Sequence, residues 1–552
     1  MEVMTTWLKP PMAIGGLDHL GTQGPCLLIY AQMLPGITNV TDRARYYSLY
    51  PWLVCSFEQH FPVADAEQFI EFYRRADCLF SLIAERHARI TDHDAERHGA
   101  AMVGRNQLLP ALDRLEQGEE LRLSNYTDPD SKRRYFKNRL GGLGQYYAGT
   151  LAQLELMDPS STPWIKFTIE RGLPLAQAVD KAVPSNEFWS VVNSDLVTLD
   201  NLDALSSFCA CSIGHTTAEH DALTEIFFDR SHRYGAMGMQ RRHSLTLILH
   251  LAQALHQAGE IDLTEQRFRA AIYSGMLPGK QAWTVPVLLH ATRDAWTLYE
   301  RNDLLSMAMQ SVFVICLNAM QALGTVTNID RSSVEAFAAS LAKSEGVEAA
   351  CTSLGTSSYG ELLASLRSAG PDLSDWEDAN HEFQLIDALS NGVKNEGDLT
   401  GLLELVLRAI TLIEIRAERD ARPYGALQIG EDELADSPIN LDSLRTRCAR
   451  WRELPLREVV EDLFAWCLNT HLRVALRKLR QSGQSTFRFR PTERGLQVVD
   501  FIPQPSRTGP RFRQAVQILR DIGALTRDTK IAHKPTMPSA GGLMLLETYL
   551  GQ

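Results

Sequence analysis

Two thiols separated by a single residue, Cys209-Ala210-Cys211, are followed closely by His215 and His220. Thiolate and imidazole are donors that zinc takes up in a tetrahedron, so this run is the best metal candidate in the chain. Its spacing argues the other way. Structural zinc sites commonly place two to four residues between their cysteines, and His220 lies in Ala218-Glu219-His220-Asp221-Ala222-Leu223, which reads as the exposed start of a helix. Cys209, Cys211 and His215 therefore stand as candidate ligands against an ordinary expectation of buried thiols and surface histidines, and no metal or cofactor is assigned. A second run, Asp92-His93-Asp94-Ala95-Glu96-Arg97-His98, concentrates metal-friendly side chains and reads by default as a solvated segment between helices.

Other motifs fail on spacing. Gly275-Met276-Leu277-Pro278-Gly279-Lys280-Gln281 is one residue too short between its glycines for a phosphate loop and lacks the hydroxyl that would bind magnesium. Gly355-Thr356-Ser357-Ser358-Tyr359-Gly360 lacks the second glycine of a nucleophile elbow. His533, six residues after Arg527, has the separation seen in some helical ribonucleases, but Pro535 follows and the segment does not read as helical. No catalytic residue is assigned.

The remaining chemistry is basic. Between Leu441 and Lys530 there are 18 Lys and Arg against 9 Asp and Glu, and Ile531–Gln552 balances to zero. The whole chain carries −12, so residues 1–440 carry −21 and the C-terminal part +9. Within that part Arg511, Arg513 and Arg520 fall on one helix, and Arg488 and Arg490 alternate with Phe487 and Phe489 in a ribbon. Such arginines could reach phosphates or base edges of duplex DNA. The alternatives are a protein-docking face or a merely solvated one.

Those residues need elements to position them. The length of 552 residues suggests three or four domains, and 45% apolar with 22% charged residues is the balance of globular chains. The nine cysteines are odd in number and mostly lie among apolar neighbours, as reduced thiols of a cytoplasmic protein would. Leu304–Ile329 is uncharged, but polar residues fall on several of its helical faces, so it reads as a buried central helix rather than a membrane span.

Apolar periodicity predicts a helix through Phe69, Phe72, Tyr73, Ala76, Leu79, Phe80 and Ile83, preceded by a helix that starts near Asn39 or Thr41 and is kinked or broken at Pro51. The cluster Arg43/Arg45/Tyr46/Tyr47 could be a surface or a core, and core with salt bridges is the preferred of the two. Helices follow over Tyr135–Met157, His243–His256, Phe268–Tyr273, Val285–Leu323 with a break, and Gly401–Arg416, with a short strand at Trp164–Ile169. A linker at 422–438 leads to a helix over Leu456–Leu479 stopped by Gly483. A hairpin around Pro491–Gly495, a helix over Arg511–Ile522 capped by Gly523, and an extended Ile531–Pro535 complete the chain.

The fold expected is mainly α: a multi-domain helical body with a C-terminal winged-helix-like α+β module. The expected divisions are 1–105, 106–235, 236–425 and 440–552.

The stretch Gly15-Gly16-Leu17-Asp18-His19-Leu20-Gly21, with Leu34-Pro35-Gly36-Ile37-Thr38-Asn39-Val40-Thr41-Asp42-Arg43-Ala44-Arg45-Tyr46-Tyr47-Ser48, resembles bacterial proteins encoded in mobile-element and anti-phage defence regions. Phe208-Cys209-Ala210-Cys211 and the basic Arg511–Leu525 segment share in that resemblance, which covers about a tenth of the chain. It implies a bacterial source and a defence or mobility context, and it carries no catalytic residue with it. The function expected is a non-enzymatic DNA-binding or adaptor subunit, with duplex DNA and other protein subunits as partners. A helical scaffold with a docking module and a metal-dependent enzyme acting on nucleic acid are the alternatives.

Overall fold

A computed structural model of the chain describes residues 18–91, 98, 103–214, 217–322, 329–395, 397–418, 424–526 and 535–551. The architecture is mainly α-helical, and the described strands are short antiparallel pairs. Contacts divide the chain into two compact units, each built from separated segments. The first comprises Met1–Tyr30, Gln266–Thr284 and Arg293–Thr508; the second comprises Ala31–Glu265, Val285–Thr292 and Gly509–Gln552.

The second unit is organised around two helices, Arg45–His60 and Ala66–Thr91. The predicted stripe on the latter is buried as expected. Phe69 packs edge-on to Phe57 with ring centroids 5.2 Å apart, and Trp52 lies 6.2 Å from Phe80. Each such side chain contributes on the order of 2–3 kcal/mol through burial.

Pro51 does not break its helix. Proline removes one backbone donor, but every residue from Arg45 to Phe57 is buried, and packing on all sides outweighs one missing rung. The helix also starts later than Asn39 or Thr41. The Thr41 hydroxyl instead accepts from the Thr38 N–H, and the Ala44 N–H at the helix start donates to the distant Asp521 carboxylate at 2.9 Å.

Tyr135–Met157 is not one helix. Gly141 adopts φ +50°, where a side chain would meet the Asp77 carboxylate. The Gly142 N–H donates to that carboxylate at 3.1 Å, beside the hydroxyls of Tyr50 (3.0 Å) and Tyr135 (2.6 Å). The glycines that weaken a helix here allow backbone to approach a buried acid. The chain then forms a π turn at Leu143–Tyr147, a short helix at Ala148–Gln153, and a strand at Met157–Asp158. That strand pairs with Lys166–Phe167, inside the predicted 164–169 segment.

In the first unit, Leu399–Ala417 packs against Glu382–Lys394 and Glu345–Ser353. The apolar segment after residue 285 makes a 3-10 turn at Val287–Leu289, assigned to the second unit, and then one helix, His290–Ala322, which belongs to the first unit from Arg293 onward. This helix is long and apolar enough to cross a membrane, yet 83% of its apolar window is buried, as in a core helix. Glu300 and Asp303 on it are fully buried and paired with Arg269 and Arg507. His471, on the helix Leu456–Ser482, accepts the Arg488 N–H at Nε2 and donates from Nδ1 to the His19 carbonyl at 3.0 Å. Gly483 ends that helix at φ +70°, as predicted.

The hairpin forms with Phe489–Thr492 paired to Gly495–Val498, and Phe512–Asp521 is the predicted basic helix, with Gly523 behind it at φ +68°. They belong to different units: the chain passes from one to the other between Thr508 and Gly509. Residues 440–552, expected to hold a winged-helix-like module, are shared between the two units. The packing of the helix fits this division. Gln514, expected outward, is buried and donates to the Asn39 carbonyl (3.0 Å) and Asp42 (2.6 Å), so this helix is core of the second unit. Leu525–Thr526 pairs with Met537–Pro538. The extended piece predicted at 531–535 lies largely outside the described residues.

Candidate metal centre

The second unit brings together the two runs that the sequence keeps apart. His87, His98, Cys209 and Cys211 each offer one donor atom, and these four atoms all lie within 4.8 Å of one another. Cys209 Sγ is 3.5 Å from His98 Nδ1, Cys211 Sγ is 3.4 Å from His87 Nδ1, and the two sulfurs are 3.5 Å apart. Around a tetrahedral zinc with Zn–S of about 2.3 Å, thiolates stand roughly 3.8 Å apart and thiolate–imidazole pairs slightly closer. The cluster needs only small side-chain shifts to close on such an ion.

Local structure explains the convergence. His87 sits in the last turns of Ala66–Thr91, one turn beyond Ile83 on the continuation of its apolar stripe. Cys209 is extended (φ −58°, ψ 144°) between two 3-10 turns, Ser206–Phe208 and Ala210–Ser212, and this corner turns both thiols to one side. Thr91 fixes the tautomer of His98. Its hydroxyl donates to the His87 carbonyl at 2.6 Å, so it accepts from His98 Nε2–H at 3.0 Å. The lone pair of His98 Nδ1 is left facing the thiols. A metal-bound histidine is commonly held by such a hydrogen bond on its other nitrogen.

Two buried arginines brace the ligand backbone. Arg43 donates to the His98 carbonyl at 2.7 Å and makes a two-pronged ion pair with Asp521, with Nε and one terminal nitrogen each at 3.0 Å. Arg45 donates to the carbonyls of Ser207 (2.8 Å) and Cys209 (2.9 Å) and pairs with Glu219 at 2.9 Å. Arg43 and Arg45 are therefore core residues in salt bridges, as expected, and Tyr46 and Tyr47 are buried beside them. Electrostatically the two thiols diverge. Their mutual hydrogen bond holds Cys211 far below the usual thiol range, helped by His98 and His87 against the penalty of burial. The same interaction and burial push Cys209 up.

Of the ligands the sequence suggested, Cys209 and Cys211 are in the cluster, and His98 enters from the Asp92–His98 run. His215 lies outside the described residues. His220 turns elsewhere, with Nε2 2.9 Å from the Ile522 carbonyl. His87 is the residue sequence reading missed; its one signal is a histidine continuing the apolar stripe one turn beyond Ile83, just before that run.

The nucleic-acid candidates divide between the two units. Arg488 is buried, paired with Asp500 at 2.6 Å, and its guanidinium lies 4.0 Å over the Phe501 ring. Arg511 donates to the Leu34 carbonyl at 3.1 Å, and Arg520 to the Thr536 hydroxyl at 3.0 Å. Arg490 and Arg513 are exposed, one in each unit. Gly275–Gln281 forms a tight hairpin, Met276–Leu277 with Gln281–Ala282, whose Lys280 pairs with Asp375 at 2.7 Å.

No family model matches the chain, and neither a curated protein nor a solved structure matches it.

Proposed function

We propose that the protein is a non-enzymatic helical adaptor subunit whose second unit is stapled by a zinc ion on His87, His98, Cys209 and Cys211. The observation that carries this reading is the four-donor cluster. Two sulfurs and two imidazole nitrogens at tetrahedral spacing are a set that zinc favours. Four protein donors leave no position for water or substrate, which is the arrangement of structural rather than catalytic zinc. The ion would tie the end of Ala66–Thr91 to the 206–212 turns, adding an interaction that the unfolded chain lacks.

The adaptor role is supported by the charge asymmetry, and its setting, a bacterial defence or mobile-element system, by the resemblance in the N-terminal stretch. A protein partner fits better than duplex DNA, because Arg488, Arg511 and Arg520 spend donors inside the molecule.

The test is elemental analysis of protein purified without chelators, with cobalt substituted for the native ion. One zinc per chain is expected, and the cobalt form should show thiolate charge-transfer and tetrahedral ligand-field bands. Both should vanish in Cys209→Ser. Protein that takes up neither ion refutes the proposal.

A further inference from the structure

A thiol pair that holds a metal is also a pair that can be joined, and here the two sulfurs differ in access. Cys209 is fully buried, whereas Cys211 is partly exposed, one of only two cysteines in the chain, with Cys351, that are not buried. The sulfurs are 3.5 Å apart, and Cys211 lies on a one-turn 3-10 segment rather than inside a long helix. A disulfide requires them to close to about 2.05 Å. Rotation of the Cys211 side chain and adjustment of that single turn supply the movement.

The geometry points to Cys209–Cys211 as a peroxide-sensitive modification site that releases the metal on oxidation. This rests on the zinc reading above. The Cys211 thiolate attacks one oxygen of a hydroperoxide. The O–O bond breaks, hydroxide or alkoxide leaves, and Cys211 becomes a sulfenic acid. The Cys209 thiolate then attacks that sulfur, the S–O bond breaks, hydroxide leaves, and the S–S bond forms. The two thiolates lose two electrons to the peroxide. With hydrogen peroxide and two protons, the products are two waters.

Zinc then keeps only His87 and His98 and departs. Oxidation also draws together the backbone at Cys209, whose carbonyl Arg45 holds, so loss of the ion is felt by the Arg45–Glu219 pair. A thiol reductant with free zinc restores the original site.

The experiment uses full-length, zinc-loaded protein carrying Cys351→Ser, so that the other partly exposed thiol is absent. Hydrogen peroxide is added in sub-stoichiometric steps. Zinc release is followed with a chromogenic chelator, and peptides are mapped by mass spectrometry. The expected result is release of about one zinc per peroxide consumed. The peptide bearing Cys209 and Cys211 should be lighter by two hydrogens, and dithiothreitol with zinc should reload the protein.

Retention of zinc at several equivalents of peroxide overturns the inference while the zinc staple stands. So does release with sulfinic acid on Cys211 and no internal disulfide. Protein that never binds zinc overturns both, and elemental analysis before any peroxide is added identifies that case.

Discussion

Replacing Asp521 by alanine should damage the second unit at a site 478 residues away in sequence. The Asp521 carboxylate accepts both prongs of Arg43 and the Ala44 N–H that opens the helix Arg45–His60. The pair is almost wholly enclosed, with side-chain exposures of 2% and 4%. Removing one member of a buried ion pair leaves the other charged and uncompensated, at a cost of about 3–5 kcal/mol. Losing the helix-start acceptor adds about 1 kcal/mol.

The same change frees Arg43 to let go of the His98 carbonyl, so zinc affinity should fall by about 10- to 100-fold, as for other supports of a ligand. Denaturant unfolding of the full-length protein, followed by tryptophan fluorescence, measures the first effect; competition with a chelator of known affinity measures the second. A double replacement, Arg43→Met with Asp521→Leu, should regain much of the stability, because no charge is stranded. It should not regain the zinc affinity, because the brace on His98 stays absent. An Asp521→Ala protein within about 1 kcal/mol of the parent, with unchanged zinc affinity, would refute the reasoning.

Other expectations follow from the same contacts. Burial and neighbouring cations lower His471 to about 3 and His19 to about 4. The unfolded chain therefore binds these protons first, near pH 6.5. Their contribution is present above that pH and lost as pH falls toward about 4 and then 3. His471→Gln, which preserves an acceptor and a donor, should flatten the fall in melting temperature between pH 6.5 and 4, and an unchanged slope would contradict this.

His215→Ala should leave the zinc content intact while His87→Ala lowers it, a contrast that elemental analysis reads directly. Purified protein should show no salt-dependent affinity for duplex DNA. A log–log salt slope of about two or more, abolished by Arg490→Glu with Arg513→Glu, would return DNA to the list of partners.

The sequence is most legible where one element decides its own structure. The stripe from Phe69 to Ile83, the hairpin around Pro491–Gly495 and the stop at Gly483 all appear as periodicity or turn chemistry predicts. Legibility fails where distant residues decide. The helix over Pro51 persists because of burial that no local pattern records. Gln514 reads as surface until Asn39 and Asp42 arrive as its acceptors from more than 470 residues away.

The candidate site divides in the same way. Cys209 and Cys211 are neighbours and were visible as a pair, but their partners come from 111 and 124 residues upstream, too far for ligand spacing to reveal. The narrow gap between the cysteines, which argued against a metal, is accommodated by a corner between two 3-10 turns.

The contact between Ala44 and Asp521 also has a history written into it. The N–H that opens the helix at Arg45 is made 477 residues before the carboxylate that caps it. At about 5–20 residues per second, synthesis of the intervening chain takes on the order of 20 to 100 seconds. Throughout that time the guanidinium of Arg43 has no Asp521 to enclose it. The helix start is thus completed by a group made long after it, an interval that a chain ending before Asp521 never closes.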